Sequence, residues 1–193
     1  MIELPNGKCE FVTILTKNKT KEIIKMKNKK GFARTKTLYF TTAGMIAALY
    51  VALTLLSNAF NLSSGVIQCR LSEALCVLPI FTPAAIPGLT IGCVIANLIT
   101  TGNIVDVIFG SLATLIGAVG ALWFKKHRHL ASIPTILANT LIIPFVLKFM
   151  LHLEESVWFF FVTIFIGELI SAGILGALVV GAVERVQKKN NRA

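Results

Sequence analysis

Residues 70–82 read RLSEALCVLPIFT. The stretch is apolar apart from its opening, where Arg70 and Glu73 stand, and Pro79 and Pro83 close it. It is shorter than the roughly 20 apolar residues that an α-helix needs to cross a bilayer. Whether it crosses decides how many spans the chain has, and the charges around it give the answer. Lys and Arg gather in the N-terminal arm, in KKHRH at 125–129 and in the C-terminal tail. Short basic flanks stay cytoplasmic, so an even number of spans must separate each pair. Two spans, 131–151 and 157–184, lie between KKHRH and the tail, set apart by His152, Glu154 and Glu155. Before KKHRH lie three clear ones, at 39–57, 85–100 and 105–124. Parity therefore predicts that 70–82 crosses too. The expected fold is an all-α integral membrane protein with six transmembrane helices and both termini cytoplasmic. The outer loops are then 58–69, 101–104 and 152–156, and none holds a Lys or Arg.

The net charge of +10 over 193 residues supports the same division. Residues 1–37 carry +7 and 185–193 carry +4, which leaves −1 for 38–184. Only 11 of those 147 residues are charged. That excludes a soluble single-core domain, a disordered basic chain and a nucleic-acid binder with a basic face. The chain reads as a basic cytoplasmic arm (1–37), a membrane body (38–184) and a basic tail (185–193). Met26 opens MKNKKGFARTK, which reads as a natural start, so residues 1–25 stand as an extension. The first apolar run begins near Leu38, too late for a secretory signal. Cys9, Cys69, Cys76 and Cys93 have no CxxC spacing and are expected as unpaired thiols.

Small residues recur at spacing four in the first span: Ala43 to Ala47, and Gly44, Ala48, Ala52. Such lines let another helix approach closely, either inside the protein or on a partner. The last span has a similar line, Gly173, Ala177 and Gly181, with Ala172 and Gly176, expected to pack internally. Ionisable residues inside spans are costly and mark sites. Arg70, Glu73, Asp106 and Glu168 are these residues. Arg70 and Glu73, three apart, would share a helix face as an ion pair or a ligand contact. Asp106 follows Gly102 and Asn103 and suits the first turn of a helix. Glu168 falls about 18 Å into its span with no Lys or Arg three or four residues away, so it needs a distant partner or a polar cavity. Asn97 and Asn139 are amides within spans, suited to ligand recognition or to interhelical hydrogen bonds. Trp158 fits an interfacial belt and Lys148 can snorkel. There is no HExxH, GxSxG, Walker A or Asp-rich motif, so neither metal nor cofactor is expected, and ATP would have to be hydrolysed by a partner.

The stretch IQCRLSEALCVLPIFTPAAIPGLTIGCVIANLIT (67–100) resembles the QueT family, as do DVIFGSLATLIGA (106–118) and AALYVALTLL (47–56). These are substrate-binding (S) components of energy-coupling factor transporters, assigned to queuosine precursors. The resemblance covers roughly 38–184 and implies no enzyme. It implies six helices with both ends cytoplasmic, in the cytoplasmic membrane of a prokaryote. It also implies a transmembrane coupling protein and two ATPase subunits as partners, docked through a small-residue line for which Ala43, Ala47, Ala48 and Ala52 are the matching positions. The implied transport step is a rotation of the S component in the membrane, driven by ATP hydrolysis in the partners.

The implied ligand is a 7-deazaguanine: the 7-cyano or 7-aminomethyl base, or queuine. A buried carboxylate can accept its N1–H and 2-amino donors together, and Glu73 and Glu168 are the candidates. Arg70, Gln68 or Asn97 would suit its carbonyl. Asp106 would suit a cationic aminomethyl group, and Trp158 or Phe109 an aromatic wall. The competing readings are an S component for another nitrogenous vitamin, a structural assembly subunit, and a small membrane enzyme using Glu168, or Glu73 with Asp106, for acid–base work.

Overall fold

The computed structural model describes residues 35–60, 69–150 and 156–190. The chain separates into two compact units, 1–40 and 41–193. The described part of the first is helical from Thr35, and its Tyr39 and Phe40 rings meet edge to face at 5.8 Å. That helix, α1 (Thr35–Ala59), continues into the second unit. There follow α2 (Leu71–Ile80), α3 (Ala85–Thr100), α4 (Ile104–Ala121), α5 (Ile133–Phe145) and α6 (Val157–Asn190). Among the described residues four helices are long and apolar enough to cross a membrane: α1, α4, α6, and α5 with its flanking turns (Arg128–Met150). α2 and α3 are apolar but shorter. The protein is an all-α, multi-pass membrane protein.

Local chemistry sets the ends of these elements. Arg70 caps α2 in an extended conformation (φ −101°, ψ 106°) and so stands outside the helix. α2 itself is a 3-10 helix with Pro79 inside it, rising about 20 Å over its ten residues. Eight of the ten are buried, the setting in which membrane proteins tolerate backbone that departs from the α-helix. Pro83 precedes α3 and Pro87 lies in its first turn, where an amide needs no partner. Gly102 takes φ +60° and turns the chain into α4. The Asn103 side chain then accepts from the Val105 amide at 2.9 Å, leaving Asp106 in the first turn. Pro134 opens α5, and Pro144 precedes a π-helical turn, Val146–Met150.

Packing is inside-out relative to a soluble protein. Met45 and Leu178 are 69% and 66% exposed, whereas Tyr50, Glu73, Asn97, Thr114 and Glu168 are buried. Lipid is as apolar as Leu, so the helices associate by close contact and polar bonds. α1 meets α3 backbone to backbone: a methyl on Gly88 would lie 2.6 Å from the Ala43 carbonyl oxygen, and one on Gly92 would lie 2.9 Å from Tyr50 Cβ. α4 meets α5 the same way, Gly117 against Thr135 and Gly120 against Pro134, each at 2.6 Å by the same measure. Buried hydroxyls bond back along their own helices, as Thr54 does to the Tyr50 carbonyl at 2.9 Å and Ser171 to the Gly167 carbonyl at 2.9 Å.

The expected small-residue line on α6 holds at Ala172 and Gly176 and needs a correction at Gly173, Ala177 and Gly181. The buried positions are Ala172, Gly176 and Val180; Ala177 is exposed, and nothing lies within 4 Å of a methyl placed on Gly181. A π-helical segment, Leu169–Leu175, underlies the first step of this line, from Ala172 to Gly176. Its i→i+5 turns hold more residues than α turns. Four residues there therefore come close to one full turn, where a 3.6-residue turn would carry the line round by about 40°. A methyl on Gly173 would make only ordinary contacts, 3.8 Å to Ile136 and 3.9 Å to the Glu168 carbonyl oxygen.

Candidate functional site

Four elements converge on one polar cavity inside the second unit. Arg70 and Glu73 come from α2 and its cap, Gly110 from α4, Asn139 and Ile143 from α5, Ile164 and Glu168 from α6. Its volume is about 20 Å3, room for a water molecule.

Glu73 is held on both oxygens. The Tyr50 hydroxyl donates to Oε1 at 2.6 Å, and the Cys76 thiol donates to Oε2 at 3.1 Å. Glu168 is held on one. Asn139 Nδ2 donates to its Oε1 at 2.8 Å, while Oε2, equally buried, has no hydrogen-bond partner. Arg70 donates through a guanidinium N–H to Asn97 Oδ1 at 3.2 Å. Asn97 is in turn fixed by donating its Nδ2 to the Asp106 carbonyl at 3.2 Å and to Cys93 Sγ at 3.4 Å. Gly110 makes this possible, because a methyl there would lie 2.7 Å from Asn97 Nδ2. The site is thus one guanidinium and two carboxylates, one of them with an open acceptor.

Of the two readings of Arg70 and Glu73, ion pair or ligand contact, the ion pair does not form; among the described residues the only salt bridge is Arg128–Glu184 at 3.1 Å. Three-residue spacing puts two side chains on one face only when both are helical, and Arg70 is the extended cap. Asn97 lies behind Arg70 rather than on the cavity wall. Asp106 contributes its carbonyl but its side chain does not line the cavity, being one turn before Gly110. Trp158 is 78% exposed against Phe161, ten residues or about 15 Å along α6 from Glu168, and does not line the cavity either. Phe109 is likewise absent from the lining. Gln68 lies outside the described residues. Sequence reasoning missed Tyr50 and Cys76 as partners of Glu73. The signal for Tyr50 was its phenol in the middle of an apolar span, where a buried hydroxyl requires a partner.

The first-span line of small residues divides in two. Ala43 and Ala47 face inward and are occupied by α3. Ala48 and Ala52 are exposed, and nothing lies within 4 Å of a methyl placed on Gly44. Among the described residues no group of His, Cys, Asp or Glu could hold a metal ion.

Comparison with known proteins follows the membrane body. The sequence model of a family described as QueT transporter matches residues 40–185. The queuosine precursor transporter QueT of Lactococcus lactis subsp. cremoris (strain MG1363) is 38% identical over 97 residues, which are 50% of this chain and 57% of that protein. The chain thus spans little more than half the length of this curated relative. No solved structure matches the chain.

Proposed function

The chain belongs to the QueT transporter family, and from that premise we propose that it is the substrate-binding membrane subunit of an ATP-driven energy-coupling factor importer for a queuosine precursor. The observation that carries this reading is the buried Oε2 of Glu168, left without a hydrogen-bond partner on a residue that lines a cavity shared with Arg70 and Glu73. A 7-deazaguanine presents N1–H and its 2-amino group as adjacent donors, and a carboxylate with a free oxygen accepts such a pair. Asn139 already orients that carboxylate. Arg70, anchored by Asn97, is the donor for the ring carbonyl. Glu73, saturated by Tyr50 and Cys76, balances the guanidinium and shapes the wall. Asp106 and Trp158 have no part in this reading, since neither lines the cavity. A bicyclic base is much larger than 20 Å3, so binding requires the walls to part.

In the proposed topology α2 and α3 cross with the four long helices, giving six spans with both termini cytoplasmic. The basic arm, KKHRH and the basic tail support it. The proposed partners are a transmembrane coupling protein and two ATPases. The exposed line Gly44, Ala48, Ala52 is the docking face this proposal retains.

Calorimetry on the purified protein with the 7-cyano and 7-aminomethyl bases tests the site. Glu168→Gln should lower affinity on the order of 10- to 100-fold, the worth of hydrogen bonds to a charged group. Unchanged affinity in both Glu168→Gln and Glu73→Gln would remove the carboxylate clamp, and failure of the wild-type protein to bind either base would remove the substrate assignment.

A further inference from the structure

A second, apolar groove of about 680 Å3 runs between α4 and α5 on their outer surface, away from the polar cavity. Leu115, Val119 and Trp123 form one wall; Ile133, Leu137 and Leu141 form the other. Its floor is the close approach of Gly120 to Pro134. Taking the glycine as floor and large side chains as walls, the helices form a channel rather than a flat seam. No charged or hydroxyl side chain lines it.

Two observations say what it holds. The groove follows α4 and the 3-10 turn after it from Leu115 to Phe124, a length of about 14 Å. That is one leaflet of a hydrocarbon core about 30 Å thick. A transmembrane helix of another protein or of a second copy would need a seam twice as long; an acyl chain needs this one. The second is charge. The groove ends at Phe124, and the next residues are Lys125 and Lys126, both exposed. The neighbouring Arg128 is committed elsewhere, bonded to Glu184 at 3.1 Å and lying 5.2 Å over the Phe81 ring. Glu184 is therefore paired, and the two exposed lysines that follow the groove's last residue have no ion pair among the described residues. Trp123, 85% exposed beside them, suits the level of the headgroups.

We propose that this groove is a specific site for an anionic phospholipid, with one acyl chain between α4 and α5 and the phosphate on Lys125 and Lys126. Basic pockets at helix ends bind anionic headgroups in this way. Native mass spectrometry of the full chain in detergent tests it, with phosphatidylglycerol and phosphatidylcholine of matched acyl chains as competing probes. The wild-type protein should retain phosphatidylglycerol about tenfold more than phosphatidylcholine. Lys125→Gln with Lys126→Gln, both surface changes, should erase the preference. Leu137→Trp, which fills the groove, should lower retention of both lipids. Equal retention by the wild type, a preference that survives the lysine changes, or no effect of Leu137→Trp would overturn the site. A photoreactive side chain replacing Leu141 in native membranes should couple to lipid; coupling to another protein or to a second copy would overturn it equally.

Discussion

Glu73 and Glu168 are both buried carboxylates on one cavity, yet their surroundings make them different groups. Glu73 already accepts a phenol and a thiol; Glu168 accepts one amide and leaves an oxygen open. Each unsatisfied buried acceptor costs about 1–3 kcal/mol, so the open oxygen is where a ligand gains most. Arg70 depends on Asn97, and Asn97 depends on the missing side chain of Gly110. Gly110→Ala should push the amide away, release Arg70 and weaken ligand binding on the order of tenfold, with little change in helix content by circular dichroism. Calorimetry reads the affinity directly. The sequence singled out Arg70, Glu73, Asp106 and Glu168 because charge inside a span is costly, and three of the four line the cavity. Asp106 differs because a carboxylate in the first turn of a helix already has the dipole as its partner. The pairing of Asn139 with Glu168, 29 residues apart, was not legible, since nothing local encodes which two helices become neighbours.

At the level of elements, the departures from ideal helix geometry sit beside the site. α2 is wound as a 3-10 helix and carries Glu73; the π segment of α6 begins directly after Glu168. Such irregular turns were invisible to a reading based on a 3.6-residue period, and that reading could not separate the buried pair Ala172 and Gly176 from the neighbouring line Gly173, Ala177 and Gly181. The small-residue line of α1 was legible as a contact surface but not as two surfaces. Which half meets α3 depends on Gly88 and Gly92 arriving opposite Ala43 and Ala47. Gly92→Val should force Tyr50 from its place, since even a methyl would lie 2.9 Å from Tyr50 Cβ. The expected cost is about 1–3 kcal/mol of stability, seen as a lower melting temperature together with weaker ligand binding. Gly44→Ala, with open space around it, should change neither.

For the whole molecule, apolar runs and basic flanks were enough to place the chain among multi-pass membrane proteins, because bilayer thickness and charge asymmetry act on the sequence itself. The proposed six-span topology makes a one-sided prediction. Trypsin added to inside-out vesicles should cut at 125–128 and in the tail and expose an N-terminal tag. Right-side-out vesicles should protect all three. If residues 70–82 did not cross, the tag and the 125–128 site would report opposite faces. The helix lengths carry a mechanical consequence. α3 has 16 residues, about 24 Å, and turns Ile91, Ile95, Leu98 and Ile99 outward. On the proposed six-span topology α3 crosses, and the hydrocarbon core beside it would thin by several ångströms to match. α6, at 34 residues, makes no such demand and meets its lipid by tilting or by extending past the surface. On that topology the molecule asks for two membrane thicknesses at once, and the lengths of the surrounding lipid tails should set how far the sheet bends around it.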